Sequence, residues 1–445
     1  MSKVYRPYEP NQMLLTPPSL REWLPDNHLV LFISDVVDQM DIGEIQDKHE
    51  KELRGYPPFH PRMMLKILIY GYCVGVRSSR KIAKRVEEDI AFRYLAAGNM
   101  PRFRTIAEFR QRNLGTFKSL FLQVLQLCRD SGLTRLGHVS LDGTKINANA
   151  SKHKAMSYGR MEQEERRLKK EIEQMMREAA EIDDREDKKY GRDRRGDELP
   201  EELQRRETRL ERIKAAKKLL EERAAAEEQA KSQRKQDDHE QDPPAAGGVA
   251  RPPRPSTQIN FTDPDSRIMR DSNKSFVQAY NAQAVVDSES QIIIASDVTN
   301  QSNDKNQVKP MVSAVSQNMQ TMPDQLSADA GYFSEANVKW LVQQKVAPYI
   351  PPDKQKHNQR RLTARGPITP DMTVADRMRR KLSTRRGSEI YGKRKTIVEP
   401  VFGMIKATLG FRQFGLRGLD KAKAEWDLVC TCHNLLKAFR ACATA

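Results

Sequence analysis

The sequence predicts an α/β fold: a mixed central sheet flanked by helices, behind an all-α N-terminal region and interrupted by a long α-helical hairpin. Three patterns carry this expectation. Apolar residues recur at helical spacing through the first 135 residues, and short β-branched stretches alternate with helical ones in the last 190. Between them, a segment rich in Glu, Lys, Arg and Ala runs on a heptad seam from Tyr158 to about Lys235. The 445 residues allow two or three domains and a core that needs no disulfides.

The N-terminal region reads as helices. HPRMMLKILIYGYCVG, starting at His60, is an apolar helix. SSRKIAKRVEEDIAFRYLA follows as one helix from Ser78, with Ser78 or Ser79 as cap and Ile82, Val86 and Ile90 at helical spacing. RTIAEFRQRN gives another short helix. Arg80, Lys81, Lys84 and Arg85 cluster at a helix start, which suits a helix-turn-helix. A helical unit for packing or dimerisation fits the same pattern.

The sheet begins with GHVSLDGTKI, residues 137–146, in which Asp142 precedes a glycine. SFVQAYNAQAVVD and SQIIIASDVTN form two more strands around a turn at 287–290. A helix at 304–319, the strand DQLSADAGYFS with Asp329, a helix capped by Ser334 and the strand VAPYIPP complete the order. A basic helix, YGKRKTIVEPVFGMIK, spans 391–406 with apolar residues at Ile397, Val401, Met404 and Ile405. Pro400 lacks an N–H and predicts a kink or a fresh helical start there.

The inserted segment carries one seam through Met161, Leu168, Ile172, Met175, Ala179 and Ile182. A second runs through Leu199, Leu203, Leu210, Ile213, Leu220 and Ala224. The charged break KKYGRDRRGDELP separates them, so the expectation is an antiparallel hairpin at 157–236 serving dimerisation or spacing. Residues 237–256, rich in Pro and Gly, read as a flexible linker.

Charge narrows the partner. The chain carries a net +17, yet residues 158–242 hold 23 Lys/Arg against 26 Asp/Glu. From 353 to 420 the balance is 17 against 6. A basic C-terminal region suits a polyphosphate partner, and the near-neutral hairpin does not. The start is polar and Pro-rich, so no signal peptide is expected. The longest apolar run, Met63 to Val76, contains Lys66 and is too short to span a bilayer. Five scattered cysteines fit a reducing compartment, and the expected location is cytoplasmic, at the nucleoid. Cys430, Cys432 and His433 lack a second metal-binding pair and do not read as a zinc site.

Two acids, Asp142 and Asp329, stand at strand ends, each just before a small residue. In open α/β sheets the carboxyl ends of strands face the ligand crevice. A third acid, Glu399, sits alone among cations on the basic helix. Convergent carboxylates repel unless cations intervene, and hard oxygen ligands suit two Mg²⁺ or Mn²⁺ ions.

With these residues in view, the chain resembles the DDE transposases of bacterial insertion sequences that carry a Tyr-Arg-Glu-Lys signature. The matching residues are Asp142 in LDGTKI, Asp329 in ADAGYF, and Tyr391, Arg394, Glu399 and Lys406 in the basic helix. TDPDSR, NKSFVQAYNAQAVVD and EWDLVCTCHNLLK also look like this group, as does HPRMMLKILIYGY. Four residues separate Arg394 from Glu399, one more than in the signature, whereas the six between Glu399 and Lys406 match it. The resemblance implies an RNase H-like catalytic domain at 136–445, interrupted by the hairpin and linker, behind an N-terminal DNA-binding or dimerisation domain at 1–135. It implies Asp142, Asp329 and Glu399 as metal ligands and catalytic acids. It also implies double-stranded DNA as partner, a homodimer, cleavage at terminal inverted repeats and joining of 3′ ends to target DNA. Tyr391, Arg394, Lys406 and Lys145 are the expected DNA contacts.

Asp263, Asp265 and Asp297 compete for a site role, and each reads better as a turn or strand-end residue. Three rival functions share much of the pattern. They are a metal-dependent nuclease without strand transfer, a non-catalytic DNA-binding relic, and a recombinase using Tyr391 as nucleophile.

Overall fold

A computed structural model describes residues 19–50, 58–190, 201–238, 252–271, 275–353 and 371–444. The charged break at 191–200 and the linker core at 239–251 lie outside the described residues.

Among the described residues seven α-helices come first: α1 (Leu29–Gln39), α2 (Gly43–Glu50), α3 (Pro61–Cys73), α4 (Ser79–Glu88), α5 (Ile90–Leu95), α6 (Phe103–Arg112) and α7 (Phe117–Asp130). The single helix expected from Ser78 is two. Asp89 adopts extended backbone, and its carboxylate accepts the N–H groups of Ala91 and Phe92, capping α5. A side chain that bonds the backbone two and three residues on interrupts a helix in this way. Ser78 occupies the N-cap position of α4 but makes no capping bond.

Strand β1 (His138–Asn147) leads through β2 (Ala155–Ser157) into α8 (Tyr158–Tyr190) and α9 (Glu201–Asp238). Strands β3 (Gln258–Asn260), β4 (Arg267–Arg270), β5 (Phe276–Asp287) and β6 (Ile293–Thr299) precede α10 (Val308–Met319). Next come β7 (Gln325–Ala328), α11 (Glu335–Gln343), β8 (Ala347–Tyr349), α12 (Val374–Ser383), α13 (Arg385–Gly403) and α14 (Leu419–Thr444).

Helices α8 and α9 form the expected antiparallel pair. Tyr158 bonds Glu221, Glu165 meets Lys217 and Glu171 meets Arg206, so the partners run in opposite order. Met161, Leu168, Ile172, Leu203, Leu210, Ile213 and Leu220 are buried between them in a cluster of their own.

Among the described residues the main sheet has six strands. Its path is β4-β5-β1-β7-β8, and β6 pairs with the second half of β5. β1, β5 and β6 are antiparallel neighbours, whereas β7 and β8 run parallel to β1. Strand β4 differs from the sequence reading: it begins on Arg267, the last residue of the turn-like TDPDSR, and only three more residues extend it. Helix α14 crosses the sheet: Ser296 donates to Asp427 at 2.6 Å, Asn434 bonds both backbone groups of Ile293, and buried Trp426 donates to the Gln283 carbonyl. Its other side receives α3 and α7, so the N-terminal helices and the sheet share one continuous apolar core. Buried Glu425 joins the two parts, accepting from Tyr72 at 3.0 Å and from the N–H groups of Gly415 and Leu416.

Helix α13 runs through Pro400 rather than restarting there. Proline leaves the carbonyl four residues back without its helical donor. That carbonyl, Thr396, accepts from the Gln291 side chain at 3.0 Å. Gln291 sits at the β5–β6 turn with φ 61° and is itself held by Lys437 at 2.6 Å and His433 at 2.9 Å. The freed carbonyl thus ties α13 to the sheet and α14. A π-turn, Met404–Thr408, follows.

Candidate active site

Parallel pairing of β1 with β7 ends at Leu141 and Ala328. One step further come Asp142 and Asp329; Asp329 follows the end of β7 as expected, but Asp142 lies midway along β1, which runs on to Asn147 because β5 pairs with it past the point where β7 stops. Neighbouring strands lie about 4.8 Å apart, so the two acids leave adjacent strands there, close enough for Asp329 to act on the Asp142 carboxyl. Asp142 is on the face covered by α13, where Arg394 donates to its Oδ2 at 2.9 Å. Both side chains are largely buried, at 12% and 21% exposure. Burial pushes the Asp142 carboxyl up to about 6; Asp329 and Asp304 add to the rise, while Arg394 and the Gly143 N–H oppose it. Asp329 turns its Oδ1 to the Gly331 N–H at 2.8 Å, capping a short 3₁₀ turn.

The opposite face of β1 carries Gly143 and Lys145, which pair with Gln283 and Asn281 of β5. A Cβ on Gly143 would collide with the Gln283 amide and lie 2.9 Å from Asn281 Oδ1. Glycine is therefore required where the two strands press polar side chains together. Lys145 Nζ lies 3.6 Å from Asp304, an acid that the strand-end pattern did not single out. Burial lowers the Lys145 ammonium, while Asp304, Asp142 and Asp329 pull it back up.

The basic helix is only partly joined to this group. Tyr391 is half-buried against Val338, Tyr349, Met378 and Leu382, with Arg394 over its ring at 5.9 Å. Glu399 is exposed on α13. Five residues past Arg394, it points about 140° round the helix from the residue that reaches Asp142. Lys406 lies in the π-turn, half-buried, with its carbonyl accepting from Arg412 at 3.1 Å. Lys406 lies seven residues past Glu399 but beyond the start of the π-turn, so regular α-helical spacing does not relate the two side chains. Among the described residues no three His, Cys, Asp or Glu side chains are grouped as ligands of one ion.

The competing acids are occupied elsewhere. Asp263 is fully buried and accepts from Tyr280 at 2.7 Å and the Gly418 N–H at 3.1 Å. Asp265 pairs with Arg223 of α9 at 2.8 Å, and Asp297 with Lys423 at 2.9 Å. The two acids of TDPDSR therefore bridge distant elements instead of only turning their own backbone. Cys430, Cys432 and His433 are buried in α14, and no described helix is long and apolar enough to cross a membrane.

Two family models match the chain. Residues 18–112 match a transposase domain (DUF772), and residues 254–435 match the transposase DDE domain. Asp329, Arg394 and Glu399 fall inside the second match; Asp142, Lys145 and the helical hairpin lie between the two. No curated protein and no solved structure matches. With an adjacent acid pair where β7 stops and transposase families on both sides of it, the chain belongs to the DDE transposases of insertion sequences.

Proposed function

We propose that the protein binds the terminal inverted repeats of its own insertion sequence, cleaves the ends and joins the 3′ ends to target DNA, with Asp142, Asp329 and Glu399 as the acids of the site. The observation that carries this reading is the register placing Asp142 beside Asp329 at the end of a parallel strand pair. The order β6-β5-β1-β7-β8, three antiparallel strands then two parallel ones, supports an RNase H-like catalytic domain.

The donors fit a hard divalent ion. They are oxygens only, and Mg²⁺ is commonly held by one or two carboxylates together with substrate phosphates. Burial gives the larger part of the upward push on Asp142, and the smaller part, from Asp329 and Asp304, is repulsion a cation would relieve. Asp142 and Asp329 would hold Mg²⁺ or Mn²⁺, with Glu399 as the further carboxylate, although in this structure Glu399 stands on the exposed side of α13. Bound there, the ion would supply Lewis-acid activation of the attacking hydroxyl and charge stabilisation at the phosphodiester.

The remaining chemistry belongs to the chain. Arg394 presents a guanidinium beside Asp142, placed to take a phosphate oxygen. Lys145 holds a positive charge on the opposite side of the acids, where it balances charge developing on the phosphate. Lys406 and Arg412 form a second basic point for the DNA backbone. The hairpin carries a balanced charge and serves as a spacer or dimer contact rather than a DNA arm.

The test is an inverted-repeat duplex incubated with the protein and Mg²⁺ or Mn²⁺. Cleavage at the repeat ends followed by joining to a second duplex supports the proposal. Cleavage without joining would instead mark a nuclease, and binding without either a relic.

A further inference from the structure

Asp304 lies in the loop after β6, outside every pattern that marked the other acids. It precedes the 3₁₀ turn Lys305–Gln307 and occupies its N-cap position; its backbone carbonyl accepts the Gln307 N–H at 2.9 Å, yet its side chain makes no capping bond. Local backbone chemistry therefore does not account for the carboxylate. Its Oδ1 instead accepts from Asn281 Nδ2 at 2.6 Å and from Gln283 Nε2 at 2.9 Å, and lies 3.6 Å from Lys145 Nζ. The two amides sit two residues apart on one face of β5, flanking the space that Gly143 leaves open. Gln283 accepts in turn from the Tyr332 hydroxyl, three residues beyond Asp329. Asp304 Oδ2 lies 3.7 Å from where a Cβ on Gly331 would stand, and Gly331 donates to Asp329.

Elements separated by more than 150 residues thus bring a loop carboxylate, two amides, a tyrosine and a lysine to the far side of the acid pair. The carboxylate is not a leftover surface charge: its side chain is 23% exposed and that of Lys145 19%. Holding two such groups at ion-pair distance in a partly buried setting is costly unless further hydrogen bonds fix them, and Asn281 and Gln283 provide those bonds.

We propose that Asp304 is a positioning residue: fixed by Asn281 and Gln283, it holds the Lys145 ammonium on the face of β1 opposite Asp142, and from that side Lys145 meets the phosphate being cut. The assignment rests on the transposase reading for the role of Lys145, but not for the pairing itself. Lys145 feels all three carboxylates, Asp304 the most among them, which agrees with the geometry.

Two measurements test it. In the first, D304N, K145Q and the double variant are compared in end cleavage under single-turnover conditions. If Asp304 acts through Lys145, each single variant loses at least about tenfold in rate, and the double loses no more than about twofold beyond the worse single. D304E, which keeps the charge, restores most of the rate. Multiplying losses in the double, or D304N within about threefold of the unaltered protein, would overturn the proposal. In the second, acylation of Lys145 at pH 8 is followed by mass spectrometry without DNA. D304N should label at least about threefold faster, because the amine loses its carboxylate partner; an unchanged rate contradicts the pairing. Asn281→Ala frees Asp304 without altering either charge and should move labelling in the same direction, which serves if D304N does not fold. A chain that pairs Lys145 with Asp304 but cuts no DNA would refute the transposase reading and leave the pairing intact.

Discussion

Replacing Asp142 with Asn should make the protein more stable at neutral pH, because the carboxylate is held where its charge is unwelcome. Its carboxyl titrates near 6 instead of at its ordinary value of 3.8, chiefly through burial, with Asp329 and Asp304 adding to the effect. A difference of that size is worth about 3 kcal/mol against the charged form. The sign follows from proton linkage. Stability associated with the protonated group is fully present below the unfolded value and is lost as pH rises through 6. Asparagine has no charge to bury and keeps a carbonyl for Arg394. Arg394, 12% exposed, does lose its counter-charge, which gives back part of the gain. The expected net gain is about 1–2 kcal/mol at pH 7.5, shrinking towards zero below pH 4. Urea titrations of both proteins in EDTA across that range measure it, read as the shift in midpoint at constant slope. A D142N protein less stable than its parent at pH 7.5, or a difference independent of pH, would refute the reasoning.

Other perturbations probe separate parts of the structure. Gln291→Ala removes the donor that Thr396 takes in place of Pro400, so it should cost about 1 kcal/mol and speed amide exchange along α13, as hydrogen exchange would show. Ile213→Ala opens a cavity in the hairpin cluster and should cost that unit about 2–4 kcal/mol; because the cluster is separate from the main core, limited proteolysis should cut α8–α9 while leaving the sheet protected. Glu425→Ala strands Tyr72 and two backbone N–H groups in the core and should destabilise the whole chain by about 3 kcal/mol or more in chemical denaturation. Arg394→Met should weaken DNA binding and flatten its dependence on salt, measurable by fluorescence anisotropy.

Five strands of the main sheet, β1, β5, β6, β7 and β8, were legible because each announced itself locally, whereas β4 did not. Asp142 and Asp329 stood out because each follows a short strand-like stretch, HVSL and QLSA, and precedes a small residue, a signal contained within ten residues. The helical pair was readable from its heptads, since a seam is a local period. What escaped was whatever depends on contacts between distant segments. Asp304 sits in QSNDKNQ, which has no period, and its importance comes from Lys145, Asn281 and Gln283 on two other strands. A hint existed: Asn281 and Gln283 interrupt the apolar run of β5, and buried amides require partners. The break at Asp89 was hidden because Ile82, Val86 and Ile90 keep helical spacing across it, so the cap and the periodicity disagreed and the cap prevailed. Pro400 pointed to a broken helix, but Gln291, 109 residues earlier, supplies the donor that lets α13 continue. Glu399 is the residue for which a local motif and the observed packing differ most, since α13 turns it away from the residue that reaches Asp142.

In the function we propose, the adjacent acids Asp142 and Asp329 cut DNA while the cations hold it. This claim is tested most directly by measuring end cleavage and repeat-DNA affinity side by side for D142N and D329N. The expected result is loss of cleavage by at least about a thousandfold in each, with affinity within about threefold of the unaltered protein. Retained cleavage at near-normal rates in either variant would contradict it.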